Sequence, residues 1–222
     1  MATVTQQRQT HPQTQHLQQP TAQQSLTVVR NVLAATVGSI TYLRNLFPED
    51  NFKDTKLNGL QLKTLLPNKT PQADKLIAWI DRGCYDALEK QYLRSMVFGI
   101  YLDESNPDEL CEVYTFSFSY PDKNRWCISL SKDGKEEFSF KTREDITRAT
   151  CEMLRRLLVL TQTLEPLPAR SYLTMKLLYY DEVTPPSYQP PLFRAGQDTP
   201  LRIAGDNSIQ VDLGRIASPF HS

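Results

Sequence analysis

The feature that most constrains this fold lies late in the chain, where an alternating run at residues 171–180 meets a proline-rich run. Alternate side chains of an extended chain share one side, and one side of this run is apolar, comprising Leu173, Met175, Leu177 and Tyr179. The second run holds four prolines within residues 185–191, and a proline has no backbone N–H for a β-ladder. The sequence therefore predicts a β-strand buried on one face, followed by a segment that leaves the sheet after Thr184.

Composition restricts the class of protein. The 222 residues suffice for one domain with a tail. The 25 basic side chains equal the 25 acidic ones in number, so net charge favours neither nucleic acid nor a membrane surface. Residues 1–24 contain nine glutamines and almost no large apolar side chains, which is typical of a disordered arm, either a solvated tail or a handle for a partner. Without a run of about 18 apolar residues or a signal peptide, we expect the cytosol or the nucleus and no membrane.

No catalytic or metal-binding constellation can be recognised. The three histidines lie in the predicted tails, the four cysteines are single and widely spaced, and the eight glycines form no phosphate-binding loop. Asp181 and Glu182 are neighbouring carboxylates, but neighbours in an extended chain point to opposite sides. We interpret them as a solvated turn, and we expect no enzyme, no metal and no cofactor.

Hydrophobic residues at intervals of three and four predict three long helices. They are expected at residues 25–47, 74–92 and 142–164, with Ser25, Asp74 and Thr142 as N-caps. Gly83 falls inside the second helix, where glycine is unfavourable by about 1 kcal/mol relative to alanine. We therefore expect Gly83 to allow close packing against another backbone.

Period-two patterns predict an antiparallel sheet. Strands are expected at residues 93–102, 112–120, 125–131, 137–140 after an Asp133–Gly134 turn, 171–180 and 208–213. The strand at 112–120 alternates most clearly, with Tyr114, Phe116, Phe118 and Tyr120 on one face and Val113 with smaller residues on the other. Three helices packed on this sheet would form an α+β fold.

The residues alone leave two functions open, beside the interpretation as an ordinary core strand with a surface loop. If residues 171–180 form an edge strand, their unpaired backbone could accept a peptide as an additional strand, with the proline-rich segment as a lid. Alternatively, a basic face on the third helix could contact the phosphates of DNA in chromatin. That face carries Arg143, Arg148, Arg155 and Arg156, and it is interrupted by Glu144, Asp145 and Glu152.

Four segments together resemble the HORMA domain of meiotic chromosome-axis proteins. They are Tyr42–Pro48, Gly83–Arg94, Tyr114–Tyr120 and, above all, the run TMKLLYYDEVTPPSYQPP at residues 174–191. The resemblance covers roughly residues 24–221. The last motif is specific to the meiotic branch of the family, because the checkpoint and DNA-repair branches share the fold but lack this proline pattern.

The resemblance implies a peptide-binding module with a HORMA-like fold and no enzymatic activity. In this family a short closure-motif peptide pairs with the last core strand, and the next segment, the safety belt, wraps the peptide and docks on the opposite edge of the sheet. The implied peptide-binding residues are Ser171, Leu173, Thr174, Met175, Lys176, Leu177, Leu178, Tyr179 and Tyr180. The implied belt residues are Pro185, Pro186, Tyr188, Pro190, Pro191, Phe193, Ile209, Val211 and Leu213, the last three in a short strand at 209–213. The implied belt-docking strand contains Val113, Tyr114, Phe116, Phe118 and Tyr120.

The resemblance also implies how the chain is divided and where it works. Residues 1–24 would form the arm, 25–184 the HORMA core and 185–222 the safety belt. Expected partners are closure-motif peptides of axis or cohesin-associated proteins or of other HORMA proteins, and an AAA+ remodelling ATPase that engages the arm, with chromatin contacted indirectly. The expected location is the nucleus, on meiotic chromosomes, in support of homologue pairing, synapsis and recombination.

Family members usually continue beyond the position that matches Phe220. We interpret the end at Ser222 as a truncated or alternative product, or as a piece of a longer protein. If the chain were complete, we would not expect self-assembly through its own C-terminus.

Overall fold

The computed structural model describes residues 22–57, 59–122, 125–131, 143–196, 202–203 and 212–218. Most of the predicted arm lies outside these residues, as do the predicted turn at Asp133–Gly134, the predicted strand at 137–140, and the belt residues Ile209 and Val211.

The helices form where their apolar periodicity predicts them, but several of their ends differ from expectation. The helices are α1 (Ala22–Leu43), α2 (Pro71–Ala78), α3 (Tyr85–Glu89) and α4 (Arg143–Thr163), and a π-helical turn at Trp79–Cys84 joins α2 to α3. Helix α1 begins at Ala22, so Ser25 lies inside its first turn and is not the predicted N-cap, and the predicted cap Thr142 lies outside the described residues. Helix α1 ends before Phe47, because Asn45 adopts a left-handed conformation with φ 53° and turns the chain.

The N-cap of α2 is Thr70 rather than the predicted Asp74. The Thr70 Oγ1 accepts a hydrogen bond from the Ala73 N–H at 3.3 Å. Pro71 occupies the first helical position, where its missing N–H costs nothing. Asp74 instead accepts a hydrogen bond from the Asn68 N–H at 2.6 Å and so fixes the preceding loop.

The strands form a hairpin and a larger sheet. The hairpin pairs β1 (Phe52–Leu57) with β2 (Leu60–Leu65). The sheet runs in the order β6-β3-β4-β5-β8, with β7 beside the start of β4. Its strands are β3 (Leu93–Tyr101), β4 (Glu109–Asp122), β5 (Arg125–Ser131), β6 (Tyr172–Tyr179), β7 (Arg202–Ile203) and β8 (Asp212–Ser218). All described pairings are antiparallel except that of β7 with β4.

Strand β4 continues through Pro121, beyond the predicted end at Tyr120. The pairing of β4 with β5 shifts its register between Ser119 and Asp122. A proline is tolerated at such an irregularity, because no ladder hydrogen bond is required of it there.

The core lies between the helices and one face of the sheet, as expected for an α+β fold. Helix α1 contributes the fully buried Leu33, Val37 and Ile40, and the apolar face of β4 contributes Phe116. A Cβ atom on Gly38 would lie 2.6 Å from the Lys63 carbonyl oxygen, so α1 packs its backbone directly on β2. Within the described part of the chain, Leu26–Leu43 is the one helix long and apolar enough to cross a membrane, and here it is the central helix of the core.

A buried ion pair joins α1 to the sheet. The Arg44 guanidinium donates hydrogen bonds to both carboxylate oxygens of Glu112, its Nε lying 3.1 Å from Oε2. Arg44 also donates to the Glu165 carbonyl oxygen at 2.6 Å, and the Tyr114 hydroxyl donates to Glu112 at 2.7 Å. Because every charged group has several partners, this network can remain buried, and it fixes the end of α1 against β4 and the segment after α4.

Candidate functional site

Strand β6 is an edge of the sheet. It pairs with β3 on one side, and no strand among the described residues lies on its other side. An edge strand presents N–H and C=O groups that have no ladder partner, and a further strand can pair with them. The predicted strand at 171–180 is therefore at an edge, while its role in binding a peptide stays a prediction.

The side chains of β6 are held by their own domain on both faces. Met175 is buried, and Leu173, Leu177 and Tyr179 pack against the main core beside it. On the reverse face, the Lys176 Nζ lies 2.8 Å from Asp108 and the Tyr172 ring stacks on Tyr101 at 5.3 Å. Leu178 packs against a small apolar cluster of Val97, Leu110 and Val113. Since the side chains already have partners within the domain, what β6 offers a ligand is chiefly its backbone.

The two ends of β6 are also fixed. Before the strand, the Ser171 hydroxyl donates to the Pro168 carbonyl oxygen at 2.9 Å. After it, the Tyr180 N–H donates to the Tyr92 carbonyl oxygen at 2.9 Å and its hydroxyl donates to the Phe118 carbonyl oxygen at 2.8 Å. The edge therefore has a fixed length and position.

The chain after β6 first packs on α3, through what we call the proximal segment, residues 185–194. The Tyr188 hydroxyl donates to Asp86 Oδ2 at 2.7 Å, and its ring lies edge-on to Tyr92 at 5.0 Å and to Tyr179 at 5.4 Å. The Lys90 Nζ lies 5.0 Å above the same ring. Tyr188 therefore connects the proximal segment to α3 and to the last residue of β6.

The ionisation states of Asp86 and Tyr188 favour the hydrogen bond between them. Partial burial of the Asp86 carboxyl would raise its pKa, but hydrogen bonds from Lys90 and Tyr188 outweigh that effect and lower the pKa below its ordinary value. Burial and the neighbouring Asp86 raise the pKa of the Tyr188 hydroxyl. At neutral pH the pair is therefore a protonated phenol that donates to an ionised carboxylate.

Phe193 occupies a notch over Gly83 in the π-helical turn. A Cβ atom on Gly83 would lie 2.2 Å from Phe193 Cε2 and 3.0 Å from the Pro191 carbonyl oxygen. The Trp79 ring lies 6.5 Å from the Phe193 ring. The close packing expected at Gly83 is thus present, and its main partner is the Phe193 side chain together with one backbone carbonyl.

The distal segment, residues 195–222, reaches the other side of the sheet. Strand β7 pairs with Glu109 and Leu110 of β4, and β8 pairs with β5 from Trp126 opposite Ser218 to Ser131 opposite Asp212. The chain that follows the β6 edge therefore ends on the opposite edge of the same sheet.

These pairings correct the expected docking edge at Glu112–Tyr120. Strand β4 lies inside the sheet, with β3 and β5 on its two sides, so that stretch has no free edge for β8. The last described strand, β8, continues beyond the expected end at Leu213 through Gly214, which pairs with Leu130, whereas residues 209–211 lie outside the described residues. Gly214 can lie within the strand because pairing needs only its backbone, and the register shift beside it marks a local irregularity.

The structure also shows where the other candidate residues of the sequence lie. Asp181 and Glu182 are exposed at a turn, and within the described residues no group of three or more His, Cys, Asp or Glu side chains could hold a metal ion. Cys84 is buried with its Sγ 3.4 Å from Met96 Sδ and 3.5 Å from Met175 Sδ, and burial raises the pKa of its thiol. Of the expected basic face of α4, Arg148, Arg155 and Arg156 are exposed, with Glu152 exposed beside them.

Known proteins are similar to this chain over most of its length. The family model for the HORMA domain matches residues 25–221. HORMA domain-containing protein 1 of Sus scrofa is 39% identical over 203 residues, which are 91% of this chain and 51% of that protein. The Homo sapiens protein of the same name is 39% identical over 202 residues, which are 90% of this chain and 50% of that protein. The chain thus spans about half the length of these curated relatives.

Solved structures share the fold. C. elegans HTP-2 bound to the HIM-3 closure motif matches with a TM-score of 0.72 at 17% identity, over 89% of this chain and 88% of that one. A chain of the Mitotic Checkpoint Complex matches with a TM-score of 0.58 at 13% identity, over 89% of this chain and 99% of that one.

Proposed function

The chain belongs to the HORMA domain family, and from that premise we propose that it is an adaptor that captures closure-motif peptides by strand addition at the β6 edge. One observation carries the proposal: β6 is an edge strand of the described sheet and pairs only with β3, while the chain's own β8 forms the other edge. A peptide strand beside β6 would satisfy the backbone groups that the fold leaves unpaired there.

The biological setting follows from the relatives. HTP-1 and HTP-2 are C. elegans proteins whose structures hold closure motifs of HIM-3 or HTP-3. We propose that this chain works likewise on meiotic chromosomes in the nucleus, where it supports homologue pairing, synapsis and recombination. Its partners would be closure motifs of axis or cohesin-associated proteins or of other HORMA proteins. An AAA+ remodelling ATPase would act on residues 1–24.

The described parts of the C-terminal segment support a mechanism by which a bound peptide would be retained. The chain leaves β6, packs on α3, and reaches β5 on the far side of the sheet. A peptide paired with β6 would be enclosed between the sheet edge and this crossing chain. Release then requires the belt to open, so the dissociation rate is set by belt opening rather than by the pairing energy alone.

The test measures the binding of short peptides to the intact chain. The set contains the HIM-3 closure motif and peptides that tile the half of human HORMA domain-containing protein 1 that this chain does not match. We expect at least one peptide to bind and dissociate slowly, with little dependence on salt. A DNA-binding module that used Arg155 and Arg156 would instead lose affinity for duplex DNA steeply as salt rises. The proposal is wrong if no peptide of the set is retained.

A backbone scan of the retained peptide distinguishes strand addition from other binding modes. Only alternate amides of a strand face its neighbour. N-methylation at successive positions should therefore weaken binding with a period of two residues. Equal losses at adjacent positions would contradict strand addition even if the peptide binds.

A further inference from the structure

We infer that the moving part of the safety belt begins after Phe193, and that residues 185–193 are a fixed clasp on the helix layer. The sequence places the boundary at Thr184, where the prolines begin, but the contacts place it later. The inference rests on the proposed function, since it says which part of the belt opens to admit a peptide.

The first anchor of the clasp is the seat of Phe193 on Gly83. The Phe193 ring approaches so closely that a Cβ on Gly83 would lie 2.2 Å from Cε2 and 2.6 Å from Cδ2. Real Cβ atoms do not approach other atoms to such distances, so the seat exists only because residue 83 is glycine. The Trp79 ring, 6.5 Å away, forms the side of this seat.

The seat is rigidly connected to the sheet. It lies in the π-helical turn at Trp79–Cys84, and glycine inside a helix is unfavourable unless it serves close packing. The next residue, Cys84, is fully buried and touches Met96 of β3 and Met175 of β6. The seat therefore cannot shift without disturbing the strands that would receive a peptide.

The second anchor is Tyr188. Its hydroxyl donates to Asp86 at 2.7 Å, and Asp86 also accepts from Lys90 at 2.7 Å. Its ring contacts Tyr92, which lies directly before β3, and Tyr179, the last residue of β6. A segment with this many directional contacts cannot swing as a flexible hinge.

The segment between the anchors is folded on itself. The Tyr188 N–H donates to the Pro185 carbonyl oxygen at 2.9 Å, and the Gln189 side chain donates to the Phe193 carbonyl oxygen. Leu192 takes a left-handed conformation with φ 69°, which a leucine rarely adopts. That bend directs Phe193 into its seat, so its strain is sustained by the packing that follows it.

The first experiment needs no peptide. Amide hydrogen exchange is compared in the intact chain and in a chain that ends at Gly196. We expect residues 186–193 to keep the same protection in both. Loss of that protection together with the distal segment would overturn the inference.

A matched pair of substitutions probes the seat directly. Gly83→Ala places a Cβ against Phe193, whereas nothing lies within 4 Å of a Cβ on Gly196. We expect Gly83→Ala to raise exchange at residues 188–193 and Gly196→Ala to leave it unchanged. Alanine is the better helix former, so an effect of the substitution on helix stability alone would lower exchange rather than raise it. Unchanged exchange in Gly83→Ala would overturn the inference.

A covalent lock then tests which part opens. Cysteines replace Asp86 and Tyr188, whose side chains touch, and a short bis-maleimide joins them, with each single variant treated alike as a control. We expect the locked chain to load a retained peptide of the tiled set at a rate close to that of the unlinked double variant. Loading that is slower by more than about tenfold would show that the belt opens at Thr184. If no peptide loads on the intact chain, the proposed function is wrong. The exchange experiments still test whether the clasp is fixed.

Discussion

The contacts described for the proximal and the distal segment of the belt differ in kind. The proximal segment is held by side chains: Phe193 needs a glycine beneath it, and Tyr188 needs the Asp86 carboxylate. The contacts described for the distal segment are backbone pairings, of β8 with β5 and of β7 with β4. The seat of Phe193 accepts one position only, whereas the ladder between β8 and β5 is made by backbone groups. This difference would let one chain combine a fixed attachment with the opening part that we propose.

The largest effect is expected from removal of the distal segment. A chain that ends at Gly196 keeps the β6 edge and the clasp but lacks β8, so a bound peptide is no longer enclosed. We expect its dissociation rate to rise by about a hundredfold or more, measured by displacement of a labelled peptide. Thermal unfolding of the same chain provides the control for folding. Equal dissociation from both chains in a folded protein would remove the belt from the mechanism.

The next effect concerns the seat of Phe193. Phe193→Ala removes a half-buried ring from Gly83 and Trp79, and should lower the free energy of unfolding by about 2 kcal/mol, less than for a fully buried phenylalanine. Its neighbour Leu192 is 50% exposed, so Leu192→Ala is the matched control, with a much smaller loss. Urea denaturation measures both. Equal losses would mean that the notch over Gly83 is not a specific seat.

Much of the fold could be predicted from the sequence, and the errors have physical causes. Residues 125–131 form the predicted strand because an alternating pattern with turns on both sides leaves few other structures. The predicted docking edge was wrong because aromatic residues on one face are compatible with both an interior strand and an edge strand. The order of strands in the sheet depends on long-range pairing, which the pattern of one strand does not contain. The predicted N-cap of α2 was wrong because Thr70 followed by Pro71 is a stronger signal for the start of a helix than Asp74.

The candidate site could be predicted only in part. The β6 edge could be found from the prolines that follow it. The clasp could not, because Gly83 and Phe193 are far apart in the sequence and meet only in the folded chain. The one available signal was a glycine inside a helix, which indicated close packing without naming its partner. Tyr188 lies within the proline-rich motif and gave no sign that it would contact Asp86.

A smaller effect is expected for the second anchor. Tyr188→Phe removes the hydroxyl that donates to Asp86 and keeps the ring contacts. The loss should be about 1 kcal/mol, since the pair is partly exposed to water. Hydrogen exchange at residues 186–193 should increase while exchange in β8 does not change. A rise in both regions would show that the two segments are coupled rather than independent.

The smallest effect is a response to acid. The hydrogen bonds from Lys90 and Tyr188 lower the pKa of Asp86 in the folded chain below its ordinary value of 3.8. A depressed carboxyl pKa adds stability that is fully present above the unfolded pKa and is lost as pH falls through the folded one. Exchange at residues 186–193 should therefore rise only below about pH 4. Asp86→Asn should remove that dependence, and a dependence that persists in this variant would assign it to another group.

The central claim, that a peptide pairs with the β6 edge, is tested most directly by hydrogen exchange of the intact chain with and without a retained peptide of the tiled set. The account predicts that alternate amides of residues 172–179 gain protection, because those that face away from β3 acquire partners in the peptide. Amides of residues 125–131, already paired on both sides with β4 and β8, should not change. Peptide-dependent protection on α4 or on β5, with none along residues 172–179, would contradict the account.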